Sequence, residues 1–204
     1  MSQDLSLKIS ELICTRISHD LIGNIGAVSN AVELLDEDPE SVADVKPILE
    51  FSSKVLSARL KFFRLAFGLN NTSVKNVEEI NLIASNYLQT IGNRNFPINL
   101  DLQINTPQLC KIALLSIMIL SDIFIKGGTI SAIEKDTGLE FTAKSEHPLS
   151  TSKLQITQSC LQGNIPDENP AQNAHIIYLQ SILTQSNISI KLNFSENEAI
   201  LQID

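Results

Sequence analysis

Apolar residues recur every three or four positions from Leu5 through Ile9, Leu12, Ile13, Ile17, Leu21, Ile25, Val28, Val32 and Leu35, which predicts one long amphipathic helix. The polar stretch Asp36-Glu37-Asp38-Pro39-Glu40 interrupts it, and Pro39 cannot continue the helix behind it. Ser41 is a candidate N-cap for a second stripe made of Val42, Val45, Ile48, Leu49, Ser52, Val55, Leu56, Leu60, Phe63 and Phe67. Both stripes lie nearer a period of 3.5 than 3.6, which suits left-handed helix packing. Residues 1–68 therefore read as a helical hairpin. Two helices cannot close a core by themselves. Pairing with a second copy would complete a four-helix bundle by two-fold symmetry, and burial against the rest of the chain is the alternative.

Gly68 and the run Asn70-Asn71-Thr72-Ser73 read as a C-cap and linker, after which the pattern becomes mixed. Helices are predicted over Val77–Ile91, Pro107–Lys126 and Asn169–Ser186. Strands are predicted over Pro97–Ile104, Thr129–Glu134, Gly138–Lys144 and Lys153–Thr157. A closing hairpin joins Ile188–Phe194 to Ala199–Ile203. The fold class is thus α+β, with a hairpin domain at 1–68 and an α/β sandwich at 76–204.

Composition narrows the function. Hydrophobic residues make up 43% of the 204, as in an ordinary globular protein. A net charge of −8 argues against general nucleic-acid binding, which needs a basic surface. The opening MSQDLSLKIS lacks the charged and apolar regions of a signal peptide, and no stretch is apolar enough to span a bilayer, so a cytoplasmic protein is expected. Cys14, Cys110 and Cys160 are far apart and odd in number, and are expected to be buried, reduced thiols rather than a disulfide or zinc framework.

His19 is the candidate for chemistry. At about 100° per residue it falls roughly 160° from the local apolar centre, on the wet face shared with Arg16, Gly23 and Gly26. Each glycine costs about 1 kcal/mol against alanine inside a helix, and close approach of another backbone or of a phosphoryl group would account for two of them. Asp20 could hold the imidazole Nδ1–H and leave Nε2 as the nucleophile. An exposed surface histidine beside glycines that serve bundle packing remains the plain alternative. His147 and His175 have no acidic partner at useful spacing and are expected to be structural or solvent-facing.

The stretch from Leu12 to Leu35, LICTRISHDLIGNIGAVSNAVELL, resembles the phosphoacceptor helix of the ChpT family of alphaproteobacterial phosphotransferases. Similarity in the order of elements covers the chain and recurs at Lys126-Gly127-Gly128-Thr129-Ile130 and around Ala174–Leu183. The resemblance implies a dimerisation hairpin bearing His-Asp, followed by a degenerate version of the histidine-kinase ATPase domain. It implies that His19, aided by Asp20, relays a phosphoryl group between response-regulator receivers, including the receiver of a hybrid histidine kinase. The protein would then need no cofactor of its own, with Mg²⁺ belonging to the receiver. Two positions depart from the pattern. Gly23 stands where sensor kinases often carry the polar residue tied to phosphatase activity, and Asn24 where the family often has proline.

An ATP-dependent kinase would need an Asn-bearing helix for magnesium and a glycine-rich cradle. The segment Leu109–Ile125 has no Asn, and Leu139–Cys160 has no glycine, so ATP binding is not expected. A phosphorylated histidine favours nearby cations. Equal rise on antiparallel helices sets His19 opposite about residue 58, which nominates Arg59 beside Arg16 as phosphate or partner contacts. Ser18, Gly23 and Gly26 complete the expected recognition face. The rivals are a non-catalytic dimeric scaffold for receivers and a true histidine kinase.

Overall fold

The computed structural model describes residues 3–68, 76–92, 95–136 and 138–204. The expected linker at Asn70–Ser73 lies outside them. Helix α1 (Gln3–Glu37) and helix α2 (Val42–Phe67) form the hairpin. The turn is made by Asp38, whose carboxylate accepts from the Glu40 N–H at 3.1 Å while Pro39–Ser41 winds into a 3-10 turn. Ser41 does not cap α2 with its side chain. Its hydroxyl instead donates to the Asp38 carbonyl at 2.7 Å, because the tight turn brings that acceptor closer than the α2 amides.

Helix α3 (Val77–Ile91) is capped by Asn76, whose Oδ1 accepts from the Glu79 N–H at 3.0 Å. Then follow strand β1 (Ile98–Gln103), helix α4 (Cys110–Asp122), and the antiparallel pair β2 (Gly128–Lys135) and β3 (Gly138–Lys144). Helix α5 (Thr151–Leu161), helix α6 (Ala174–Gln185) and the hairpin of β4 (Ile190–Phe194) and β5 (Glu198–Ile203) complete the chain. The sheet order is β1-β2-β3-β5-β4, parallel only between β1 and β2, which the α4 crossover joins. One face carries Ile130, Ala132, Leu139, Phe141, Ala143, Leu192, Ala199, Leu201 and Ile203 into the core, beneath the helices.

The expected strand at Lys153–Thr157 is instead part of α5. Ser150 starts that helix by accepting from the Lys153 N–H at 3.4 Å, and Leu154, Thr157, Cys160 and Leu161 bury one face at helical spacing. A five-residue window of alternating residues concealed the longer period. The expected helix from Pro107 is shorter at both ends, with a 3-10 turn over Pro107–Leu109 and an end at Asp122. Gly127, at φ +65°, then turns the chain into β2, where a Cβ would lie 2.5 Å from the Pro97 carbonyl oxygen. Cys110 and Cys160 are buried as expected, whereas Cys14 is exposed because it lies off the face of α1 that the second helix covers.

Hairpin and sandwich share one core. Ile9, Leu12 and Leu21 of α1 and Phe62, Phe63, Leu65 and Ala66 of α2 join the same apolar cluster as Leu114, Ile117 and Met118 of α4. The turn end of the hairpin is different. There Ile22, Ile25, Val32, Leu34, Val42, Ile48 and Phe51 stay exposed. Half of the hairpin is anchored, and half presents apolar side chains outward.

Candidate functional site

The mid-helix turn that carries His19 lies where the anchored half of α1 ends. Its side chain is 78% exposed, as the helical angle predicts, and Ser18 beside it is exposed as well. Nδ1 faces the Oδ1 of Asp20 at 3.6 Å, an electrostatic contact longer than a hydrogen bond, so Nε2 is the nitrogen directed away from the carboxylate. The direct hydrogen bond expected from Asp20 is therefore not formed. Its other oxygen, Oδ2, accepts instead from Arg16 Nε at 2.8 Å, one helical turn back.

Arg16 itself is not on the wet face. Only 13% of its side chain is exposed, and it reaches inward, donating to Asp122 Oδ2 of α4 at 3.3 Å and to the Gln172 carbonyl at 2.6 Å. Two carboxylates and a carbonyl outweigh solvent for a planar five-donor group; α1 itself supplies Asp20, and the segments packed over it supply Asp122 and the Gln172 carbonyl. The expectation of Arg16 as a solvent-facing phosphate contact is corrected accordingly. Arg59 does stand behind the His19 turn. It donates to the backbone carbonyl of Asp20, to Thr90 Oγ1 at 3.2 Å and to the Thr90 carbonyl at 3.2 Å, so it braces α1 against α2 and α3. Around Gly23 and Gly26 the space is open: a Cβ built on either meets nothing within 4 Å. No contact among the described residues demands those glycines.

Behind Arg16 lies a buried polar cluster that the sequence pattern did not reveal. His175 of α6 is fully buried, with Nε2 3.4 Å from Asp122 Oδ2, and neither ring nitrogen has a hydrogen-bond partner among the described residues. The expectation that it has no acidic partner is overturned by Asp122, which arrives from a helix remote in sequence. Burial, then the charges of Arg16 and Lys153, hold this imidazole neutral, well below its ordinary 6.5. Burial raises the Asp122 carboxyl above the usual carboxylate value, against the pull of Arg16 and Lys153. Burial and then the Asp122 charge lift the Tyr87 phenol above its usual range, and that ring stacks on Phe62 with centroids 3.8 Å apart. One signal could have exposed the cluster. Asp122 is the sole acid of the largely apolar α4, just beyond the run Ile117–Leu120, and such an acid needs a partner. His147 is half-buried in its loop with its ring edge toward Phe96, as a structural residue would be.

Among the described residues no group of three or more His, Cys, Asp or Glu could hold a metal ion, and no helix is long and apolar enough to cross a membrane.

The fold matches that of a solved protein of known architecture. A solved bacterial phosphotransferase superposes with a TM-score of 0.77 over 97% of this chain and 96% of that one, at 23% identity. The sequence is also 41% identical over 63 residues to the protein phosphotransferase ChpT of Brucella abortus (strain 2308), and so supports the ChpT-type resemblance. That match covers 31% of this chain and 30% of the relative's length. The histidine kinase AdeS of Acinetobacter baumannii gives a TM-score of 0.41 at 11% identity, over 91% of this chain and 95% of that one, too distant for comparison of residues. No protein-family model matches the sequence.

Proposed function

We propose that this chain is a cytoplasmic histidine phosphotransferase that carries a phosphoryl group on His19 between receiver aspartates of response regulators, one of them the receiver of a hybrid histidine kinase. The observation that carries this reading is the exposed His19 ring with Nδ1 turned to Asp20, on a helix whose next turns are cleared by Gly23 and Gly26. In the forward step the Nε2 lone pair attacks the phosphorus of an aspartyl phosphate in line. The N–P bond forms as the P–O bond to the receiver carboxylate breaks, and that carboxylate leaves with the electron pair. The ring, now carrying a proton on Nδ1, is positive, and the Asp20 charge stabilises it. Attack on this phosphoimidazole by a second receiver's carboxylate reverses the step. Mg²⁺ enters with the receiver, and the chain contributes the nucleophile and its orientation.

The exposed apolar side chains toward the hairpin turn support a homodimer, in which a four-helix bundle covers Ile22, Ile25 and Val32. We read the chain as acting without ATP. The Leu109–Ile125 segment has no Asn, and Asp122 within it is committed to Arg16 and His175.

Phosphotransfer profiling against a panel of phosphorylated receivers tests the proposal. Acid-labile phosphate should reach the wild-type chain and not His19→Ala. Receiver binding without any transfer would favour the scaffold, and labelling by Mg-ATP alone would favour a kinase.

A further inference from the structure

We propose that Arg16 and Asp122 are positioning residues for the reaction at His19, tying the orientation of Asp20 to the docked sandwich. This inference rests on the phosphotransferase reading above. Adjacent side chains on a helix diverge by about 100°, so Asp20 has no intrinsic reason to point at the ring of its neighbour. Arg16, one turn back, supplies the reason: its Nε holds Asp20 Oδ2 at 2.8 Å, which leaves Oδ1 toward His19 Nδ1 at 3.6 Å.

Arg16 could not hold Asp20 well by itself, because a long side chain with one partner samples many rotamers. Here its remaining donors are fixed from outside the hairpin, by Asp122 of α4 and by the Gln172 carbonyl just before α6. The fork geometry makes this specific to arginine, since a lysine ammonium cannot address three separated acceptors along one plane. The Asp20 oxygen not bound by Arg16 stays turned to His19 Nδ1, where the ring becomes positive as the N–P bond forms, so it favours the reacting state over the resting one. Tethering only in the docked arrangement means that the second half of the chain sets the competence of a histidine it does not itself contain.

The test uses the full chain and the variants R16K and D122N, with D20N and the double variant R16K/D20N. R16K and D122N should each lower the maximal rate of phosphoryl acceptance from a phosphorylated receiver about tenfold or more, while the receiver concentration at half-maximal rate stays within about twofold. The R16K effect should vanish in the D20N background, as required of a residue that acts through Asp20. Independently of any receiver, ¹⁵N spectra of His19 should show the neutral ring favouring the Nδ1–H form in the wild type and losing that preference in R16K and D122N. Unchanged maximal rates in folded variants, additive losses in the double variant, or an unchanged tautomer ratio would overturn the proposal. A wild-type chain that accepts no phosphate would refute the phosphotransferase reading, and the tautomer ratio would still decide the positioning role.

Discussion

The two histidines that bracket Arg16 occupy opposite environments. His19 stands in solvent with its pairing partner held at 3.6 Å, whereas His175 is sealed within the fold with Asp122 3.4 Å from Nε2 and neither nitrogen hydrogen-bonded among the described residues. Between them runs one line of charge, Asp20, Arg16 and Asp122, that begins at the surface and ends in the core. A nucleophile needs access, and an accessible side chain is poorly ordered. The contrast suggests that order at the surface histidine comes from groups ordered by burial elsewhere.

The largest expected effect lies at the exposed end. His19→Ala should remove phosphoryl acceptance by at least about a thousandfold, while the stability in urea changes by less than about 0.5 kcal/mol, because an exposed side chain contributes little packing. At the buried end the order is reversed. Arg16→Ala strands the Asp122 carboxylate against His175 and should cost about 3 kcal/mol in urea unfolding, as breaking a buried pair does. The midpoint should move with little change in the slope.

Acid should separate the two histidines next. The folded pKa of His175 lies well below the 6.5 of the ordinary side chain, so the unfolded chain binds more protons as pH falls below 6.5. The stability associated with neutral His175 is therefore fully present above pH 6.5 and is lost as pH falls, by at most about 1.4 kcal/mol per pH unit. Asp122 has the opposite sign. Its raised pKa makes the ionised form a cost that is relieved by protonation in acid. Unfolding free energies at pH 7.5 and 5.5, compared between wild type and His175→Leu, should show a steeper acid loss in the wild type. The smallest effect belongs to Gly23→Ala and Gly26→Ala. Each should stabilise the free chain by up to about 1 kcal/mol, since the added methyl meets open space, and should slow phosphoryl acceptance where a partner must approach. Thermal melts paired with transfer assays would register both.

Much of the hairpin and sheet was legible because a long stripe of apolar residues admits one period. Leu5 to Leu35 could only be a helix, and the β2–β3 and β4–β5 hairpins alternate cleanly about short polar turns. Lys153–Thr157 misled because five residues are too few to separate a strand from the middle of a helix. His19 was legible for the same reason as the hairpin: helical angle alone sets it off the core. Arg16 was not, because the angle says nothing about which exposed face a later part of the chain will cover. The partnership of Asp122 with His175 exists only after α4 and α6 pack together.

The most direct test is to place the phosphate. The wild-type chain is phosphorylated by a phospho-receiver, then mapped by ³¹P NMR and by mass spectrometry under neutral conditions. Phosphate should reside on Nε2 of His19, acid-labile and transferable to a second receiver. Phosphate on another side chain, or none in a folded chain that binds the receiver, would contradict the proposed relay.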